Sequence, residues 1–512
     1  MKKILGRILV VLPAVVLQTA WYTIILSDLN KFMNGHLRQI IGAALYVIAV
    51  LIVLGLVSKR DEGSYKLAWV ILILVMPILG AILYLLMGDK RSGKGLDQKL
   101  KKASEVFPIT DMIGGENCIE EIEKEDFRLS QTLRHVTKTT GFPVLYNDTS
   151  RYYSFGEQMF ADMVEDLKAA EHYIFMEYFI IHRGKFWDTL TDILAQRAAA
   201  GVEVRIIYDD LGSISTYSYT DIIGLKQRGI KCIAFNPLLF VATRLNNRDH
   251  RKITVIDGRI AYSGGLNMAD EYVNEIHPYG IWKDIGFRIT GPAVRSYTYM
   301  FVEFWNAFSG NTILKEHISF QEPEGAEPDH ENGFILPYYD SPVRDEHTSN
   351  VLLADILSQA TDYVWFYTPY LMLGDMLFEA IVRAAQRGVD VKIITPGTSD
   401  SKLVQRIGRS YYRELIKGGV RIFEYRPGFV HAKAFLADDK VAGIGTVNLD
   451  YRSLFLHFEC ESVFYKSDII EKLKDDYKKT LGDCEERTSE SINNSIIHRI
   501  IDSIFRVAAP LM

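Results

Sequence analysis

A word written twice constrains this chain more than any other feature. His250-Arg251-Lys252 runs through Ile253-Thr254-Val255-Ile256 to Asp257, and after six intervening residues comes Gly264-Gly265-Leu266-Asn267. The second copy is His431-Ala432-Lys433, then Asp438, then Gly445-Thr446-Val447-Asn448, with every spacing kept. In an extended segment His-x-Lys places both side chains on one face, because strand side chains alternate with period two. The apolar tetrad reads as a buried strand, and Asp257-Gly258 as the turn that ends it. The glycines allow close backbone approach, and the asparagine adds an amide donor. Two copies facing one another would assemble two imidazoles, two ammoniums and two amides, a receptor for a phosphate. A pair of buried strands with satisfied histidines is the bland alternative. Identical spacing in both copies weighs against it.

The repetition extends beyond the word. Leu190 to Ile207 ends AAAGVEVRII and Leu377 to Ile394 ends AAQRGVDVKII, an offset of 187 residues at both ends. Each reads as a helix, a glycine stop and a buried strand. Aromatic strands precede them, at Tyr173 to Ile180 and Tyr363 to Tyr370. Strands alternating with helices predict an α/β sheet in each half, and a period this long means a duplicated domain rather than a solenoid. The halves differ before the histidine. Phe235 aligns with Tyr425, but His250 follows 15 residues later and His431 only 6, so the first half has about nine extra residues within Asn236 to Asp249.

Charge and hydropathy divide the chain. Residues 1–102 hold 14 Lys/Arg against 5 Asp/Glu, a net of +9, so the total of −6 leaves −15 for the remainder. So acidic a catalytic part argues against nucleic acid as partner, since a phosphate backbone needs a basic footprint. Cys118, Cys232, Cys460 and Cys484 are scattered and read as reduced thiols in a cytosolic setting. Ile8 to Leu26, Ile40 to Val57 and Leu67 to Met87 are 19, 18 and 21 residues of mostly apolar sequence. Each is long enough to span a hydrocarbon core of about 30 Å. Lys90, Arg91, Lys94, Lys99, Lys101 and Lys102 then place the rest of the chain in the cytoplasm by the positive-inside rule. Three spans conflict with Lys2, Lys3 and Arg7 at the start, which leaves two or three spans open.

The doubled word resembles the phospholipase D superfamily. His250 to Tyr272 and His431 to Glu459 closely resemble bacterial cardiolipin synthases, and the resemblance runs from about residue 40 to the C-terminus. His457 stands where that family usually has asparagine, two residues before Glu459. The fold class implied is α/β: a duplicated phospholipase D-like domain, two mixed sheets flanked by helices with one shared site, preceded by N-terminal transmembrane helices. The expected layout is a membrane module at 1–90, a charged connector at 91–135, phospholipase D-like domains at 136–315 and 335–488, and an amphipathic helix at 489–512.

The chemistry expected is transfer through a phosphohistidine, with His250 as nucleophile and His431 as general acid, an order implied by the resemblance. Lys252, Lys433, Asn267 and Asn448 would hold the non-bridging oxygens. Gly265 and Thr446 flank those amides. Asp257 and Asp438 are set with the motif in an orienting or structural role. Glu271 and Glu459 are candidates to fix a histidine tautomer. Glu177, in the aromatic strand, is placed at the same site, with a solvated edge as its alternative. No metal or cofactor is expected. The resemblance implies phosphatidylglycerol as donor and acceptor, giving cardiolipin plus glycerol at the cell membrane. A phosphatidyltransferase or hydrolase acting on another phospholipid is the alternative; a nuclease and a non-catalytic scaffold are disfavoured. The insert run Pro237 to Val241 is expected at the mouth of the site against acyl chains, with Arg244 and Arg248 at headgroup level. The stripe Ile496, Ile497, Ile500, Ile501, Ile504 predicts a C-terminal helix that either packs on the catalytic halves or lies in the membrane interface.

Overall fold

The computed structural model describes residues 35–59, 61–88, 94–110, 118–237, 246–314, 318, 332–344, 346–492 and 495–511. The first apolar segment, Ile8 to Leu26, and most of the insert, Leu238 to Leu245, lie outside these residues.

Each half folds as expected around its aromatic strand. The helices Lys185–Ala199 and Asp375–Gln386 are followed by Gly201 and Gly388, at φ +97 and +95. These left-handed glycines turn the chain sharply into the strands Glu203–Asp209 and Asp390–Pro396. The first sheet has seven strands in the order Ser150–Tyr153, Gly286–Thr290, Ile260–Gly264, Ile253–Ile256, Tyr173–Tyr178, Glu203–Asp209, Lys231–Phe235. The second repeats this order with Phe334–Asp340, His457–Tyr465, Val441–Gly445, Ala434–Ala437, Tyr363–Tyr367, Asp390–Pro396 and Arg421–Tyr425, and adds an edge strand at each end. Both are mixed: the last three shared strands run parallel and the rest antiparallel.

Two short parallel pairings cross between the halves. Arg248–Asp249, just before the first histidine, pairs with His457 and Phe458 of the second sheet. Gly428–Val430, just before the second, pairs with Ile281–Lys283 of the first half. The backbone N–H of His250 then donates to the carbonyl of Phe458 at 2.9 Å, and that of His431 to Lys283 at 2.7 Å. The two crossings are equivalent under the repeat and bring both motifs to one seam. The helix Val294–Phe308 is buried nearly all round, as expected of a helix packed between layers. Its Phe301 stacks on Phe175 at 4.6 Å.

The stretch read as a charged connector is more closely integrated than that reading implied. The helix Lys94–Val106 buries Leu96, Leu100 and Ala103, and Ser104 donates to Glu303 of the central helix at 2.6 Å. The N-terminal helices Gly35–Val57 and Gly63–Val75 pack through Ala49, Leu56, Trp69 and Ile73. Among the described residues no helix is long and apolar enough to cross a membrane. The pair is tied to the second half: Glu62 accepts from the backbone N–H of Asp375 at 2.6 Å, capping a helix, and Ser64 bonds Tyr451 at 2.5 Å.

Candidate active site

Strand alternation sorts the side chains of the first motif. His250 and Lys252 share one face; Arg251 points the other way into the core, wholly buried over the Phe304 ring at 3.5 Å. Arg251 is also the ion-pair partner of Glu177. Glu177 is therefore neither a site residue nor a solvated edge: it is fully buried and balances the arginine behind the motif.

His250, His431, Asn267 and Asn448 line one cavity of about 330 Å³ at the seam. Each imidazole is held by a carboxylate from the opposite half. His250 Nδ1 lies 2.8 and 3.0 Å from the two oxygens of Glu459. His431 Nδ1 lies 2.6 Å from Asp284 Oδ2. A proton on each Nδ1 leaves each Nε2 as the reactive nitrogen. Glu459 also accepts from Thr446 at 2.5 Å and Ser453 at 2.7 Å. Gly265 has a different task from its repeat partner Thr446: a Cβ there would stand 2.0 Å from Asp284 Oδ1, so only glycine admits that carboxylate. Asn267 is oriented by accepting from the N–H of Ile180 at 3.1 Å and donating to Tyr272 at 2.8 Å.

One expectation is corrected and one is narrowed to its structural side. Asp284, not Glu271, is the carboxylate on His431; Glu271 sits half-buried in the turn Asp270–Val273. Asp257 and Asp438 belong to the backbone and not to the chemistry. Seven residues of extended chain carry each roughly 20 Å from its histidine. Asp257 accepts from the N–H groups of Glu171, His172 and Tyr173 at 2.7–2.8 Å, and Asp438 from Thr361, Asp362 and Tyr363 at 2.7–2.9 Å. Each clamps the start of its aromatic strand. Asp284 was legible through the repeat: Gly264 pairs with Gly286 and Gly445 with Glu461, so Asp284 and Glu459 occupy equivalent positions two residues earlier. By the same count Trp282 matches His457, and both line the cavity.

Burial governs the electrostatics. It pushes His250 well below the ordinary imidazole value and His431 down to about 4, in each case aided by the neighbouring lysine. Lys252 falls to about 8 and Lys433 to about 7 for the same reason, desolvation. The carboxylates diverge. Burial lifts Glu459 to about 8. Burial also acts against the charge on Asp284, yet His431 and Lys433 beside it bring it below the usual carboxylate range. The two histidine–carboxylate pairs are thus unlike: one carries a resident negative charge and the other rests neutral.

Two mixed sheets of matching topology, with paired His-x-Lys segments meeting at their seam, define the phospholipase D-like class. A solved phosphatidylserine synthase of Haemophilus influenzae Rd KW20 has this fold, with a TM-score of 0.59 at 13% identity over 74% of this chain and 98% of its own. Residues 163–282 and 353–481 match the family described as cardiolipin synthase, PLD-like domain, and residues 44–88 match the phospholipase D-nuclease N-terminal family. The chain is 32% identical to cardiolipin synthase 2 of Bacillus cereus over 89% of this chain and 88% of that one. It is 32% identical to a cardiolipin synthase of Geobacillus sp. over 94% and 96%, and 37% identical to an uncharacterized protein of Streptococcus mutans over 90% and 99%. The chain belongs to the cardiolipin synthase family.

Proposed function

We propose that this chain transfers a phosphatidyl group from one phosphatidylglycerol to the hydroxyl of another, through a phosphohistidine, releasing glycerol. The observation that carries this reading is the crossed pair of carboxylate-held imidazoles lining one cavity. Nε2 of His250 attacks phosphorus, and the P–O bond to the glycerol headgroup breaks. His431 enters this step as the imidazolium; its Nε2–H protonates that leaving oxygen, and the neutral ring then takes the proton of the incoming hydroxyl, which displaces His250. The ionised Asp284 behind His431 favours its proton-carrying role, because it stabilises the imidazolium. Lys252 and Lys433 meet the non-bridging oxygens, where charge builds up. Asn267 borders the same oxygens, while the amide N–H of Asn448 is turned to Asp450. The test is purified full chain in phosphatidylglycerol vesicles. Cardiolipin and glycerol formed in equal amounts support transfer; phosphatidic acid with glycerol instead would mean that water is the acceptor and the reading is wrong.

The depressed pKa values set the pH dependence. In the free enzyme the nucleophile His250 is lost only when pH falls well below the ordinary histidine range, and the proton that His431 must carry is lost as pH rises through about 4. The ammonium charges are lost as pH rises through about 7 for Lys433 and about 8 for Lys252. We expect kcat/KM to be highest on the acid side of neutrality and to fall above pH 8. The alkaline limb of kcat lies higher, because a bound phosphate favours the charged lysines. A kcat/KM that keeps rising above pH 9 contradicts this arrangement.

The membrane contact is proposed as an apolar rim beside the cavity. The helix Ile496–Ala508 buries none of its residues, and Ile496, Ile497, Ile500 and Ile504 are 57–72% exposed. It is docked by its polar face: Asp502 pairs with Arg406 at 2.8 Å and Arg413 at 3.7 Å, and Arg506 with Glu414. Those partners lie on the helix Lys402–Lys417, whose Val404 lines the cavity. The neighbouring N-terminal helices expose Ile40, Leu51, Leu54 and Leu67. A helix attached polar side inward has its apolar side available to lipid. Changing Ile497 and Ile500 together to Glu is expected to lower vesicle binding about tenfold or more. Thermal unfolding and turnover of monomeric short-chain phospholipid should stay near wild type, since exposed sites contribute little to folding. Equal losses on both substrates with a lower Tm would place the stripe in the core.

A further inference from the structure

We infer that Asn448 and His457 form a subsite that reads hydroxyl groups of the headgroup and, with Arg248 and Arg452, turns away an ammonium. The inference deepens the phosphatidyl-transfer reading and rests on it. Both polar side chains line the cavity, at 4% and 8% exposure. Asn448 Oδ1 and His457 Nε2 are buried and have no hydrogen-bond partner among the described residues. Such atoms are rare in folded chains, and two in one cavity point to a ligand that pairs them. The amide N–H of Asn448 is turned to Asp450, which leaves Oδ1 as an acceptor. His457 presents Nδ1 to Glu459 Oε1, at 3.9 Å. That separation is beyond hydrogen-bond reach, so Nε2 faces the cavity able to donate or to accept. The ring of His457 is 5.9 Å from that of His250, beside the nucleophile.

Hydroxyls both donate and accept, so the pair of a vicinal diol can satisfy Asn448 Oδ1 and His457 Nε2 together. A protonated amine also donates, but the surrounding charge opposes it. Arg248, ion-paired with Asp209 at 3.3 Å, and Arg452 border the same cavity; burial first, and then the charges of Arg452, Arg248 and Lys252, bring His457 well below the ordinary imidazole value. Two carboxylates in the lining are engaged elsewhere: Asp400 accepts from Tyr370 at 2.7 Å, and Asp450 caps Ser453 N–H at 2.9 Å. Burial moreover raises Asp450 above its ordinary value, which weakens its pull on a cation. The subsite therefore suits a neutral polyol such as glycerol, free or as a lipid headgroup, over ethanolamine.

The experiment uses full-length protein in phosphatidylglycerol vesicles, with labelled glycerol or labelled ethanolamine supplied in the aqueous phase. Incorporation into lipid is read as the ratio of the two alcohols, so that a general loss of turnover cancels. A second arm mixes phosphatidylglycerol with phosphatidylethanolamine and reads the ratio of glycerol to ethanolamine released, since either donor gives cardiolipin. Wild type should favour the glycerol headgroup by about tenfold or more in both arms. His457→Phe, which keeps the ring and removes the nitrogen, should cut that ratio about tenfold. His457→Asn, which restores a side-chain amide, should recover most of it. An unchanged ratio in folded His457→Phe overturns the subsite, as does a change confined to the free alcohols, which would exclude the lipid headgroup. Wild-type protein that incorporates neither alcohol and makes no cardiolipin refutes the transfer reading itself, a different result.

Discussion

Replacing His250 or His431 with alanine will reduce cardiolipin formation by about ten-thousandfold or more, the scale expected when one member of a nucleophile–acid pair is removed. The two variants should differ in what they accumulate. His431→Ala keeps the imidazole held by Glu459 and still forms the phosphorus–nitrogen bond slowly, so phosphorylated protein builds up. His250→Ala keeps the pair of His431 with Asp284 but has no nucleophile, so none forms. Phosphohistidine survives alkali and is lost in acid. Alkaline quench of protein incubated with phosphate-labelled phosphatidylglycerol, followed by peptide mapping, reads the site. Label on the His431 peptide reverses the assignment of the two roles. Activity surviving in either variant removes the covalent route. Both variants should unfold near the wild-type temperature, because each imidazole borders a cavity instead of filling a core.

The next largest effects are expected across the seam. Asp284→Asn removes the ionised carboxylate behind His431 and should lower kcat about a thousandfold, as for other carboxylates that hold a catalytic imidazole. Glu459→Gln should cost less, about a hundredfold. In the free enzyme burial already holds Glu459 to about 8, so below that pH an amide resembles the resting group. What it cannot supply is the negative charge that stabilises His250 once it carries phosphorus. The pH profile separates these roles from structural ones. Asp284→Asn should shift the limb of kcat/KM set by His431 to lower pH, since the imidazolium loses the carboxylate that stabilises it. Glu459→Asp should recover part of the loss. A fall in Tm with an unshifted profile would make these carboxylates structural ties only.

Much of the scaffold was legible because the signals are local. Period-two alternation placed His250 with Lys252 and put Arg251 on the opposite face. The helix–glycine–strand segments folded as read, because the left-handed glycines act within one turn. Glu177 was misread because its partner, Arg251, lies on an adjacent strand, and period two does not show which carboxylate meets the reverse face of that strand. For the motif aspartates an orienting and a structural role both stayed open, because spacing alone does not show what a side chain meets. In the fold they close their strands onto backbone N–H groups 84–86 and 75–77 residues away. Burial of the helix Lys94–Val106 escaped notice because its charged residues outnumber its apolar ones, and a few well-placed leucines decide its packing.

Sequence by itself determined the duplication, the two histidine–lysine faces and the family, since all three reside in ordered spacing along the chain. Tertiary structure alone decided which carboxylate serves which imidazole. Glu459 is 209 residues from His250, and Asp284 is 147 from His431. Each reaches across because the segment before a histidine pairs in parallel with the strand that carries the other half's carboxylate. The two half-sites also titrate differently, an outcome of burial and neighbouring charge that exists only once the halves have closed on each other.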